Sequence, residues 1–500
     1  MSRSRAAWHI MGSLLVLVWL VALAALVRGT HPPGPVEGTT DINAPSSLKT
    51  PERQWKEIYL GDRKVGYSVS HIRPAGDGYL LHVETFLKMT LMGLATGLHT
   101  HIQCTTDRDF GLSSFRFRMH SGAVRFEASG RVKDGHIQVE AGSGGGLKAH
   151  RVPIETPPVI GAGMGHYFRD AELEVGRTFS FPVFDPSTMT CATASIRVAD
   201  RDKITIKGIS YDSFRLETEL WGGRFSFWLD REGRVLKEEG FMGLTAVRSS
   251  AAAAPEGIQG SGELDFYEIS AVVPDRTIPD PERVGHLEVR LEGIEEPEGD
   301  PASWKGFRQE LNWPLLKVTR EGLPSDPASK QDLEMEVMAS YLDAEFNIES
   351  DHPEVRRRAE SIAGGLRDPV EAAGAVMEWV YENVDKRPVV ALPSALEVLR
   401  TKAGDCNEHA VLTTALLRAL GIPSRIVVGL VYTRGKFFYH AWTEAFLGEW
   451  ISIDSTFKQM PVDATHIRIL EGNLDKQVEL AGLIGRLRLK IVDYAYDSSG

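Results

Sequence analysis

Residues 404–423 read GDCNEHAVLTTALLRALGIP. A short polar run containing a cysteine passes straight into apolar positions at helical spacing, and the pattern stops at Gly421 with Pro423 behind it. The spacing predicts a helix from Asn407 to Leu420, with Cys406 at or next to its first turn. Unpaired backbone N–H groups and the positive end of the helix dipole favour a thiolate at such a place. A nucleophile can use that field, but a small apolar residue filling a gap in a core fits the same position. Both readings stay open on this stretch alone.

Downstream, RIVVGLVY (425–432), KFFYHAWTEAFL (436–447) and EWISIDSTF (449–457) are alternating segments, and Leu447-Gly448-Glu449 is a tight turn between the last two. With that turn, His440 faces Thr456 and lies diagonal to Asp454 on the same side of the sheet. Diagonal neighbours sit roughly 7–8 Å apart at the backbone, within side-chain reach. A one-residue slip would turn Asp454 to the other face. Cys406, His440 and Asp454 then supply a nucleophile, a general base and an orienting carboxylate.

Upstream of Cys406 the period is helical. DLEMEVMASYLDAEF (332–346), SDHPEVRRRAESIAGGL (350–366), DPVEAAGAVMEWVYENV (368–384) and PSALEVLR (393–400) are helix candidates. Asp368 is an N-cap with Pro369 behind it and Glu371 at the capping-box position, and Ser394 with Glu397 repeats the signature. Glu408 and His409 read as a capped, solvated first turn, with lining of the cleft as the alternative. Glu444 is a partner for Arg425. Trp379 and Tyr381 are helix-packing residues.

From Gln54 to Val273 the period is two. Short Val-, Ile-, Phe- and Tyr-rich segments are separated by GDR, AGDG, KDG and REG, which describes a large antiparallel sheet or open barrel. His71, His82, His101 and His120 are scattered along it without ligand spacing. HLEVRLEGI and PLLKVTREGL form a further strand-rich piece, and SDPASKQD (325–332) marks a boundary. The expected organisation is a signal anchor or signal peptide (1–30), a linker (31–50), the antiparallel β domain (51–275), a strand-rich connector (276–328) and a C-terminal domain (329–495).

The chain of 500 residues is too long for one ordinary core, and its net charge of −12 without a basic run argues against a nucleic-acid partner. Ile10 to Val27 is uncharged, follows Arg3 and Arg5, and approaches the length of a bilayer span. It predicts a single-pass anchor in the cytoplasmic membrane with the bulk of the chain outside, periplasmic, or secreted if Ala22-Leu23-Ala24 is cleaved. Of three cysteines, Cys104 with Cys191 is the one pairing that spares Cys406; three unpaired thiols are the alternative.

Gly404-Asp405-Cys406, LGIPSRIVVG (420–429), His440-Ala441-Trp442-Thr443-Glu444 and Trp450 through Asp454-Ser455-Thr456 resemble the motifs of the transglutaminase-like superfamily, over about Asp351 to Phe457. The resemblance implies an α+β chain with a papain-like catalytic domain at its C-terminus. It also implies Cys406 as nucleophile, His440 as base and Asp454 as orienting residue, with Gly404 and Trp442 as structural motif residues. Asn407 stands where the calcium-dependent animal enzymes have an aromatic, and Ser455 where they have proline. Their upstream oxyanion tryptophan has no counterpart beside Pro393-Ser394, and no acidic loop has calcium-ligand spacing. The expectation is a cysteine peptidase or amidase acting on a protein or peptide, needing no metal or cofactor. The alternatives are a protein-glutamine transamidase and a non-catalytic scaffold acting through its β domain. Nothing in the residues sets the oligomeric state.

Overall fold

The computed structural model describes residues 50–497, apart from 92–93, 122–123, 144–146, 162–167, 169–170, 188, 221–222, 241–242, 263, 297–303, 305, 325–337, 388–393, 473–479 and 481–482. The apolar segment expected to enter the membrane and its linker lie outside the described residues, as does Pro393. Among the described residues, no helix is long and apolar enough to cross a membrane. The chain divides into two compact units that meet between Phe266 and Tyr267.

The first unit is the antiparallel sheet the alternation predicts. Among the described residues it has fifteen strands, β1 to β15, between Glu52 and Ser249. From β1 (Glu52–Leu60) the chain meanders outward to β8 (Lys148–Pro153), then continues from β9 (Val159–Ile160) at the far end back to β15 (Leu244–Ser249), which pairs with β1. Only β9 and β10 (Thr178–Asp185) run parallel. The Leu112–Ser121 strand shows why period two suffices: Phe115, Phe117 and Met119 are buried, while Arg116, Arg118 and His120 between them are exposed. Cys104 and Cys191 are free thiols, so the disulfide alternative does not hold. They sit on the separate strands Leu94–Thr106 and Thr190–Ile206, and burial pushes each thiol up to about 12.

In the second unit, β16 (Val284–Glu292), β17 (Gln309–Asn312) and β18 (Leu315–Thr319) form one antiparallel sheet with the last strand, β25 (Arg488–Tyr496), in the order β17-β18-β16-β25. The stretch read as a connector thus shares a sheet with the C-terminal strand. Helix α1 (Phe266–Ser270) is followed by α2 (Pro353–Ala363), α3 (Pro369–Asn383), α4 (Ala395–Thr401) and α5 (Cys406–Ala419). Two short parallel strands, β19 (Asp385–Lys386) and β20 (Ala403–Gly404), pair with each other, and a second antiparallel sheet has the order β23-β22-β21-β24, from β21 (Ser424–Thr433), β22 (Lys436–Phe446), β23 (Trp450–Ile453) and β24 (Ile467–Glu471). Its face carries α5, and α2, α3 and α4 pack on α5 from other sides.

Local signals explain most of these boundaries. Asp368 Oδ1 accepts the Val370 N–H at 2.8 Å and starts α3. Ser394 caps α4 through the Glu397 N–H at 3.3 Å, and the Glu349 carboxylate accepts from the Ser394 hydroxyl at 2.7 Å and the Leu396 N–H at 3.2 Å. Most of the helix expected over 332–346 lies outside the described residues; its described part begins with a helical Met338, passes into the 3-10 turn Ala339–Tyr341 and runs on to Phe346 without a helix.

Candidate active site

The Asp405 carboxylate caps α5 by accepting the Asn407 N–H at 2.9 Å, while Glu408 reaches back to accept the Asp405 N–H at 2.9 Å. The helix therefore begins at Cys406, one residue earlier than expected. Glu408 and His409 are not on a solvated face: they are 2% and 0% exposed. Helices α2, α3 and α4 and the β21–β22 sheet surround α5, so its first turn has no solvent side. Gly404 permits this closure, because a Cβ there would lie 2.2 Å from the Glu408 Cβ. Burial pushes the Asp405 and Glu408 carboxyls up, and the Glu408 charge pushes Asp405 further. Burial drives the His409 imidazole down to about 4, so it is neutral and its Nδ1–H donates to the Asp405 carbonyl at 2.6 Å.

His440 lies on β22 opposite Gly429. A Cβ at Gly429 would lie 1.9 Å from the Ile467 carbonyl oxygen, so only glycine lets β21 pass between β22 and β24 here. The Cys406 Sγ accepts the Ala441 N–H at 3.3 Å, which sets the sulfur on the peptide joining His440 to Ala441. The expected hairpin register holds from Phe446↔Trp450 to Thr443↔Ile453. The ladder ends there, and Asp454 opens a turn closed by reciprocal backbone bonds with Gln459 at 2.9 and 3.0 Å. This bend brings Asp454 Oδ2 to 2.7 Å from His440 Nε2. Asp454 Oδ1 accepts the Thr456 and Phe457 N–H groups at 2.7 and 3.2 Å. The carboxylate is thus held at both oxygens. Burial would raise Asp454, but His440 and His466 outweigh it and hold the carboxyl below the usual range.

The sequence reading missed His466. Its Nε2 lies 3.1 Å from the same Asp454 Oδ2, and its Nδ1 lies 3.4 Å from Asp463 Oδ1. Burial alone would lower this imidazole, yet Asp463 and Asp454 raise it to about 9. The available signal was Asp463-Ala-Thr-His466, an acid and an imidazole three residues apart just before an apolar strand. Lys386 was also missed. Burial brings its ammonium down to about 8 against the pull of Asp454, and it lies 3.6 Å over the Tyr381 ring.

Trp442 is 1% exposed, as a structural motif residue should be, and its ring stacks beside His440 at 6.1 Å. Arg425 pairs with Glu444 at 2.8 Å, as expected. Trp379 packs under Arg358. In the β domain His99, His101 and His120 share one face, with His99 and His120 stacked at 4.9 Å. Among the described residues, one group of three ligating side chains has its donor atoms within 4.8 Å of one another: His440, Asp454 and His466. Both imidazoles there bond the same carboxylate oxygen, so a cation would have to displace both bonds.

Residues 356–455 match the model of the transglutaminase-like superfamily and form a domain of that kind. An uncharacterized protein of Mycobacterium leprae (strain TN) is 32% identical over 99 residues, which cover 18% of this chain and 36% of that protein. The match thus spans about a third of that relative's length. A solved candidate cysteine protease from Cytophaga hutchinsonii is 16% identical with a TM-score of 0.27, covering 42% of this chain and 87% of that one. A β-barrel-like protein of unknown function from Brucella abortus is 14% identical with a TM-score of 0.32, covering 40% and 96%. Both TM-scores are below 0.5, so the family match carries the weight.

Proposed function

Taking residues 356–455 as a transglutaminase-like domain, we propose that the chain is an exported thiol hydrolase of peptide or amide bonds, with Cys406 as nucleophile, His440 as base and Asp454 as orienting carboxylate. The observation that carries this is the junction of two contacts: Cys406 Sγ on the Ala441 N–H, and His440 Nε2 on Asp454. With Nε2 held by the carboxylate, Nδ1 takes the thiol proton. The thiolate attacks the carbonyl carbon, an S–C bond forms, and backbone N–H groups at the start of α5 support the oxyanion. His440 returns the proton to the departing nitrogen as the C–N bond breaks. Water, losing its proton to His440, then cleaves the thioester and restores the thiol.

The buried Asp454 carboxylate stabilises the imidazolium formed in both steps, so no bound cation is required to make the nucleophile. The test is cleavage of a peptide library by the full chain, read by mass spectrometry. Cys406→Ala and His440→Ala are expected to lose cleavage while keeping the fold, and dialysis against a chelator to leave it intact. Cleavage by Cys406→Ala at the wild-type rate would overturn the assignment. Ammonia release with an added amine in place of hydrolysis would identify a transamidase. Export rests on the basic flank and apolar run before Arg28, and predicts that a reporter fused after Ser47 is active only outside the cytoplasm.

A further inference from the structure

We propose that His466 is a positioning residue of the same site: a second imidazole that clamps Asp454 at the carboxylate oxygen it shares with His440 and sets the basicity of His440 through that oxygen. The inference rests on the thiol reading above and adds a residue to it.

The geometry is a chain of four buried groups. His440 Nε2 reaches Asp454 Oδ2 at 2.7 Å, His466 Nε2 reaches that same oxygen at 3.1 Å, and His466 Nδ1 reaches Asp463 Oδ1 at 3.4 Å. All four side chains are at most 2% exposed. Asp463 is itself fixed, its Oδ1 accepting the Thr465 N–H at 2.8 Å and hydroxyl at 2.6 Å. Trp442 stands edge-on to His466 at 5.5 Å and Phe457 edge-on at 6.1 Å, which keeps water from the imidazole faces. An imidazole that bonds a carboxylate through each ring nitrogen donates from both, which is the protonated form. Its raised titration agrees with this.

The charged groups around His466 are Asp454 after β23, Asp463 in the following loop and His440 on β22. Lys386 and the α5 residue His409 also feel the Asp454 charge, and Arg308 bonds the Asp463 carbonyl at 2.6 Å. Two carboxylates therefore face one cationic imidazole, and the positive charge sits 5.8 Å, ring to ring, from His440. That charge offsets part of Asp454, so the imidazolium of His440 is less favoured than it would be beside an unshared carboxylate. Neutralising position 466 should therefore raise the pH at which His440 loses its proton.

The experiment has two arms. In the first, the full chain turns over p-nitrophenyl acetate, and kcat and KM are measured against pH for wild type, Cys406→Ala, His466→Ala and His466→Gln. His466→Ala is expected to lower kcat by about tenfold or more with KM little changed. His466→Gln, which keeps one donor and no charge, should recover part of kcat and move the alkaline limb upward by on the order of one pH unit. In the second arm, imidazole titration by NMR follows His440 in wild type and His466→Gln. This arm needs no turnover and decides the matter if His466→Ala fails to fold or the ester is not a substrate. Loss of turnover in Cys406→Ala with wild-type behaviour of both His466 variants would overturn the His466 role and keep the thiol reading. Unchanged turnover in Cys406→Ala would overturn the thiol reading. An upward His440 titration in His466→Gln supports the clamp, and an unchanged one refutes it.

Discussion

At residue 429 a hydrogen atom stands where any other side chain would strike the Ile467 carbonyl oxygen, and residue 404 is closed in the same way by the Glu408 side chain. Neither glycine is one of the proposed catalytic residues, yet each adjoins one: Gly429 sits opposite His440, and Gly404 lets the cap of the Cys406 helix close. Gly404→Ala is expected to cost about 1–3 kcal/mol, because the obstructing atom is the Cβ of a side chain already hydrogen-bonded in place. Gly429→Ala should cost more, since backbone must yield. Urea unfolding midpoints of the two variants check the order. Cys406, His440 and Asp454 were legible as a candidate cluster because each opens or occupies a recognisable segment. His466 was not, because its meaning lies in sharing an oxygen with Asp454, which belongs to another segment and turns toward it only after the ladder ends at Ile453.

Among the elements, α5 shows where pattern reading succeeds and where it stops. Its C-terminal end was readable from local chemistry, with Gly421 at positive φ closing it, while its start was placed one residue late because the Asp405 cap was not read. Its surroundings were not readable. A helix covered on every side loses the polar stripe that sequence periodicity depends on, and Glu408 and His409 then look like a wet face when they are interior groups. This gives a prediction for the cap. Asp405→Asn keeps the oxygen that accepts the Asn407 N–H and removes an acid whose ionised form burial disfavours, so its stability at pH 7 should stay within about 1 kcal/mol of wild type. Asp405→Ala loses the cap and should cost about 1–2 kcal/mol. Equal unfolding midpoints for the two variants would mean that the cap contributes nothing.

For the whole molecule, the large antiparallel sheet was legible from period two alone, whereas its strand order was not: that β1 meets β15 depends on pairings nearly two hundred residues apart. The charge state of the second unit should be visible in its stability. His466 titrates at about 9 when folded and near 6.5 when unfolded, so its contribution is complete below about pH 6.5 and is lost as pH rises to about 9. His409 is the reverse case, at about 4 when folded; its contribution is complete above about pH 6.5 and is lost as pH falls to about 4. Asp454 and Asp463, held below the usual carboxylate range, lose theirs on further acidification. A thermal-midpoint series across pH should therefore fall on both sides of neutrality. His466→Gln should flatten the alkaline side and, by removing the imidazolium that holds Asp454 and Asp463 down, also soften the acid side. An unchanged alkaline side in that variant would contradict the charge assignment.

The thiol itself is 0% exposed. Beside it, burial pushes the Tyr267 phenol up, with Arg434 opposing and the Cys406 charge adding to the effect, so that tyrosine is close enough to sense the sulfur. Reaction at a sealed sulfur proceeds only during an opening of the surrounding side chains, which makes the observed rate a product of intrinsic reactivity and open population. The alkylation rate of Cys406 by iodoacetamide, divided by that of an unhindered thiol of equal ionised fraction, measures this population. The same closure slows peroxide, so under oxidising conditions this thiol outlasts an exposed cysteine of equal acidity.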